Sequence, residues 1–309
     1  MASIDHESLK VVADEPWLRW LSAWLGQSGA EIHRYQYARD AAGGSSMMWQ
    51  LVPRGPIRGR VLCAHATGND ALYPLVRLYQ TLVAASYEVF AFDLDGHGRR
   101  SSAVLARHSI ESAVPGAISR ILADRPPLPL HLLGQSLGGA LCLKTLLDGE
   151  PRIASLTLIG TPAVVNLGLA PLLTELGIFV RPCFWREIGI YGPWGMVPAL
   201  GSFKRGTFPV RLAAAASRPL DYAVLVKGII ADVGVAAARS QCQTPCLLLA
   251  GGLDGIASEG AVRQLQASFP HSRLTVVPRA THFSLPFEPE VIRQCLSFLE
   301  SVEAKSLTG

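Results

Sequence analysis

Three short stretches of the chain carry residue types that could act together. Gly134-Gln135-Ser136-Leu137-Gly138-Gly139 sets one serine between glycines, at the end of an apolar run and the start of a helical pattern. Gly251-Gly252-Leu253-Asp254 ends another apolar run on a carboxylate, and Thr281-His282-Phe283 places an imidazole after the run "LTVVPRA". A serine hydroxyl is a poor nucleophile unless a base takes its proton as it attacks. A histidine is such a base, and it needs a partner that fixes its tautomer and offsets the imidazolium charge. Ser136, His282 and Asp254 are therefore candidates for nucleophile, general base and orienting acid, and the chemistry they suit is acyl transfer.

The elements needed to bring them together are legible in the hydrophobic pattern. The runs "RVLCAHA", "YEVFAFDL", "LHLLGQ", "IASLTLIG", "PCLLLAGG" and "RLTVVP" are short and mainly apolar. Between and after them come helical patterns opening near Leu72, Ser109, Ser136, Ala261 and Pro289. This alternation predicts a mostly parallel sheet with helices on both faces. Such sheets gather functional groups at the carboxyl ends of their strands, where all three candidates sit. Ahead of them, "IHRYQYA" and "SMMWQLVP", joined by "RDAAGGS", predict an antiparallel hairpin at one edge.

Two regions depart from the alternation. Residues 161–241 are rich in Pro, Gly and aromatics, and a structureless loop of that length is improbable, so a helical lid is expected. Near the N-terminus, "DEPWLRWLSAWLGQ" spaces Trp17, Trp20 and Trp24 on one helical face, with Asp14 as N-cap and Pro16 in the first turn. Its polar face lacks the Lys and Arg of a membrane-surface helix, so packing on the domain is favoured over membrane contact. The expected organisation is an N-terminal helix within 1–30, a core made of 31–160 and 242–309, and a lid over 161–241.

Bulk properties narrow the function. Of 309 residues, 49% are hydrophobic and 17% charged, enough for a sizeable core. The net charge of +4 comes without a dense basic block, which argues against nucleic acid as a partner. None of the six cysteines forms a CxxC pair. No zinc site is expected, and Cys63 and Cys142 read as buried free thiols of a reducing cytoplasm. The start of the chain lacks the basic and apolar regions of a signal peptide. The uncharged run from Ile153 to Thr174 is broken by Gly160, Pro162, Gly168 and Pro171, as suits a buried strand and an apolar lid.

At this point the sequence resembles the α/β-hydrolase-fold serine hydrolases. "GQSLGG" fits the nucleophile elbow G-x-S-x-G, and the chain order Ser, Asp, His is that of the family. "DLDGHGRRS" resembles the loop after the preceding strand in lipases and esterases. "AGGLDGIAS" resembles the acid turn, without its frequent proline, and "ATHFSLPFEPEVIRQCLSFL" the histidine loop and closing helix. The likeness runs from about Arg60 to Glu300 and is weak across the lid. It implies an α/β-hydrolase fold with the lid inserted after the sixth strand. It also implies an oxyanion hole made by the backbone N–H groups of Leu137 and Thr67, although the usual His-Gly of that loop is His65-Ala66 here. Some members carry the acid one strand earlier, but "LIGTPAVVNLG" has no carboxylate, which leaves Asp254. Asp93 and Asp95 are expected to order a turn, His65 and His97 to brace loops, and His131 to be a core histidine.

The aromatic and aliphatic lid implies an apolar or acyl-chain substrate, with Trp185, Trp194 and Phe283 expected against it. The leading expectation is a carboxylic-ester hydrolase resembling monoacylglycerol-lipase-like or lysophospholipase-like esterases, with no cofactor and no metal. A thioesterase or acyltransferase acting on a chain held by an acyl-carrier protein is the alternative, with Arg181, Arg186, Lys204 and Arg205 meeting the acidic partner. Hydrolysis of a carbon–carbon bond ranks third. A non-catalytic binding protein on the same scaffold is disfavoured, because binding alone does not require all three groups.

Overall fold

The computed structural model describes residues 7–8, 27–38, 45–67, 69–72, 74–97, 106–123, 125–164, 170, 173 and 219–306. The tryptophan helix, the hairpin turn, Trp185, Trp194 and the four lid cations lie outside them. In chain order the strands are β1 (Glu7–Ser8), β2 (Glu31–Ala38), β3 (Ser45–Val52), β4 (Gly59–Ala64), β5 (Tyr87–Phe92), β6 (Leu130–Gln135), β7 (Ile153–Ile159), β8 (Cys246–Gly251) and β9 (Ser272–Val277). The helices are α1 (Val76–Ala84), α2 (Arg107–Glu111), α3 (Ala113–Leu122), α4 (Leu137–Leu147), α5 (Pro219–Ala238), α6 (Glu259–Gln266) and α7 (Pro289–Ser306).

One sheet runs in the order β1-β2-β3-β5-β4-β6-β7-β8-β9. The pairings from β1 through β3 to β5 are antiparallel, and the rest of the sheet is parallel. The expected hairpin is β2–β3, in register from Glu31↔Val52 to Ala38↔Ser45. The two-residue strand β1 has no hydrophobic signature and was not anticipated. Counting it, the insertion expected after the sixth strand follows the seventh, β7.

Every residue of β4, β5, β6 and β8 is buried, as expected of strands covered on both faces. On one face α1 and α7 close over Trp49, Val61, Val89 and Leu247. On the other, α3, α4, α5 and α6 cover Leu62, Phe90, Leu132 and Leu248. Helix α4 is buried at nearly every position, so it is apolar all round rather than amphipathic. Helix α5 lies within the expected lid span, yet Tyr222, Val226, Ile229, Ile230, Val233 and Ala237 form one buried stripe that joins this core. Among the described residues no helix is long and apolar enough to cross a membrane.

Two buried polar clusters tie elements of this core together. Glu88, 2% exposed, accepts from Gln50 at 2.6 Å, Arg60 at 2.9 Å and Arg125 at 2.6 Å, which ties β3, β4 and β5 to the turn before β6. His131 sits wholly inside, its Nδ1 2.8 Å from the Ser155 hydroxyl.

Candidate active site

The site is built from four strand ends. At the end of β6 the chain turns at Ser136 directly into α4. Ser136 adopts φ 50°, ψ −114°, outside the ordinary regions for a side-chain-bearing residue, at a cost of about 1–3 kcal/mol. The surroundings over-determine it. Its N–H donates to Ile159 O of β7 at 2.9 Å, and its carbonyl accepts from Ala140 N at 3.0 Å to begin α4. A Cβ at position 138 would run into the Ala64 carbonyl, and one at 139 into the Thr161 side chain. The glycines of the elbow are therefore required by close packing of the turn against β4 and the end of β7.

Asp254 stands on the turn after β8. Its Oδ1 accepts from Ile256 N at 2.9 Å and Ala257 N at 2.6 Å, which fixes the plane of the carboxylate. Leu253 N donates to Ala280 O at 2.9 Å, joining the acid turn to the histidine loop. That loop is a tight turn in which Thr281 N donates to Ser284 Oγ at 2.9 Å and Leu285 N to Thr281 O at 2.9 Å. His282 leaves it pointing back across the strand ends.

The three side chains meet. His282 Nδ1 is 2.8 Å from Asp254 Oδ2, and His282 Nε2 is 3.1 Å from Ser136 Oγ. A carboxylate can only accept, so Nδ1 carries the proton and Nε2 is left to accept from the serine hydroxyl. All three residues are buried. Phe283, half-buried, holds its ring 6.0 Å from that of His282.

Around this line the remaining loops are pinned by polar side chains. Leu137 opens α4, so its N–H is among those a helix leaves without an internal acceptor. Thr67 lies after β4, on a turn closed by Asn69 N donating to Ala66 O at 3.3 Å. His65 Nδ1–H donates to the same Ala66 carbonyl at 2.8 Å, while Leu94 N donates to His65 Nε2 at 3.0 Å. The Ala66 carbonyl shares its peptide plane with the Thr67 N–H, so these bonds also orient that N–H. Asp93 Oδ1 accepts from Ala71 N at 2.7 Å, and Asp95 accepts from the Ser109 hydroxyl. His97 Nδ1–H donates to Asp95 O at 2.9 Å. Burial pushes the pKa of His65 down to about 4, and burial together with neighbouring His65 pushes His97 down to about 3. Both rings are thus neutral braces.

The sequence reading did not single out Tyr222 as part of the site. Its hydroxyl is 3.0 Å from His97 Nε2 and 3.5 Å from Thr67 Oγ1, and burial pushes its phenol up. A tyrosine in the first turn of a helix carries no local signal of such a contact.

The profile of the Alpha/beta hydrolase family matches residues 61–294. Over 221 residues the chain is 25% identical to pimeloyl-[acyl-carrier protein] methyl ester esterase of Nitrosomonas europaea, covering 69% of this chain and 85% of that one. Over 116 residues it is 27% identical to caffeoylshikimate esterase of Arabidopsis thaliana, covering 36% of this chain and 35% of that relative's length. Among solved structures, 2-hydroxy-6-oxo-6-phenylhexa-2,4-dienoate hydrolase from Rhodococcus sp. strain RHA1 superposes with a TM-score of 0.61 at 17% identity. That superposition covers 88% of this chain and 99% of that one.

Proposed function

Since the chain belongs to the alpha/beta hydrolase family and is an esterase-like hydrolase, we propose that it cleaves a carboxylic ester of an apolar or acyl-chain substrate through Ser136, His282 and Asp254. The observation that carries this reading is the unbroken line of hydrogen bonds from Ser136 Oγ through His282 to Asp254. In the first step His282 Nε2 takes the hydroxyl proton as Ser136 Oγ attacks the ester carbonyl. Asp254 stabilises the imidazolium formed, and the Leu137 and Thr67 N–H groups receive the developing oxyanion. Collapse expels the alkoxide, which takes the proton from His282 and leaves an acyl-serine. Water, deprotonated by the same nitrogen, then releases the acid and restores the serine. Phe283, beside His282, is proposed to meet the acyl chain, with Trp185 and Trp194 as its proposed partners there.

A second reading, a carrier-bound acyl substrate, is supported by the likeness to an esterase named for an acyl-carrier-protein ester. Labelling with a fluorophosphonate, comparing wild type with Ser136→Ala, tests the common mechanism. Labelling confined to wild type is expected, and an unlabelled, folded wild type would count against it. Rates on short- and long-chain nitrophenyl esters and on acyl thioesters then separate the two substrate classes.

A further inference from the structure

We propose that Tyr222 is a positioning residue for the oxyanion hole, acting through the hydroxyl of Thr67. The inference rests on the oxyanion role proposed above for the Thr67 N–H, and it assigns that N–H a support from the inserted segment.

The directions of the hydrogen bonds carry the argument. His97 donates from Nδ1 to a backbone carbonyl, that of Asp95, at 2.9 Å. A carbonyl cannot donate, so Nδ1 holds the proton and Nε2 of this buried, neutral ring is an acceptor. The Tyr222 hydroxyl, 3.0 Å away, must then be the donor to Nε2. Its lone pairs are left to accept, and the group facing them is Thr67 Oγ1 at 3.5 Å. A chain of defined direction results, from the Thr67 hydroxyl to Tyr222 to His97 to the Asp95 carbonyl. It spans 155 sequence positions from Thr67 to Tyr222. The 3.5 Å step is the longest of the chain, and so the weakest of its bonds.

The placement gives the chain its purpose. The turn carrying Thr67 is held from the core side by His65 and Asn69 at Ala66 O, and beyond it by Asp93 at Ala71 N. Tyr222 reaches it from α5, which packs on α4, the helix that supplies the Leu137 N–H. The two donors of the oxyanion hole are thereby referred to one common element. The tyrosine ring is itself held by packing, 5.5 Å from the His97 ring and 5% exposed, so removing the hydroxyl leaves the ring seated.

The test is Tyr222→Phe, with Thr67→Val as an independent variant that keeps the backbone N–H, and the double variant. Each single change should lower kcat on a nitrophenyl ester about tenfold, the worth of one such bond, with KM unchanged. Affinity for a trifluoromethyl ketone, which forms an oxyanion on Ser136, should fall by the same factor, because only transition-state contacts are lost. The double variant should be no worse than either single one. Full kcat in Tyr222→Phe, a change in KM alone, or losses that multiply in the double variant would each overturn the proposal. Fluorophosphonate labelling separates the two levels of failure. A wild type that takes the probe while Tyr222→Phe turns over at full rate defeats this inference alone. A wild type that takes no probe defeats the serine-hydrolase reading beneath it, and this inference with it.

Discussion

Replacing Asp254 by asparagine tests the triad with little disturbance of the fold. Asp254 Oδ1 is committed to the N–H groups of Ile256 and Ala257, so the carboxamide of Asp254→Asn must keep its oxygen there. Its NH2 then occupies the place of Oδ2, 2.8 Å from His282 Nδ1. Two donors cannot face each other, so the imidazole shifts its proton to Nε2 and points an N–H at Ser136, where an acceptor is needed. Restoring the working tautomer strands a buried donor at about 1–3 kcal/mol, and the lost charge-assisted bond to the imidazolium adds about 1.5–3 kcal/mol. Together these amount to roughly 3–6 kcal/mol, or about 10²–10⁴ in kcat. Steady-state hydrolysis of a nitrophenyl ester reads the rate, and thermal unfolding should show a midpoint close to that of wild type. Asp254→Ala makes the contrast, since it strands both backbone N–H groups and should lose about 1–3 kcal/mol of stability for each. If Asp254→Asn keeps kcat within about tenfold of wild type, the tautomer argument is wrong and the orienting acid lies elsewhere.

Two further outcomes follow from the packing and electrostatics around the site. Gly139→Ala drives a methyl group into the Thr161 side chain and should cost about 1–3 kcal/mol in urea unfolding. Thr161→Ala in the same chain should recover part of that loss, and no recovery would show that the collision is not the cause. Acid should weaken the fold through His65 and His97, whose folded pKa values are depressed from 6.5 to about 4 and about 3. The unfolded chain takes these protons first, so stability is whole above pH 6.5 and is lost as pH falls toward those values. The loss is about 1.4 kcal/mol per pH unit for each histidine. Urea midpoints measured down to about pH 4 should fall less steeply in His97→Asn than in wild type, and equal slopes would refute the buried-neutral assignment.

How much was legible in the sequence depended on how local the signal was. The strands before Ser136 and Asp254 read as nearly continuous apolar runs because a strand buried on both faces admits few polar residues, such as His131 with its bond to Ser155. The elbow glycines read as a tight turn, and the structure supplies the reason, the closeness of the Ala64 carbonyl and the Thr161 side chain. Strand β1 could not be read, because two residues have no periodicity and their pairing to β2 at Glu7↔Arg34 is a purely tertiary contact. Helix α5 was assigned to a lid from composition, whereas its buried stripe shows that it also completes the core over α4.

By itself, then, the sequence determined which chemistry was available. It placed a serine, a carboxylate and a histidine at the ends of three apolar runs, in an order compatible with acyl transfer. Only the tertiary structure decided that His282 Nε2 faces Ser136 while Nδ1 faces Asp254 across 28 positions of chain. It alone decided that His97 and Tyr222, 125 positions apart, meet beside Thr67. Periodicity reports which side of an element is buried, a property of neighbours in the chain. The direction of a hydrogen bond between distant loops depends on how whole layers pack, and no local pattern records it.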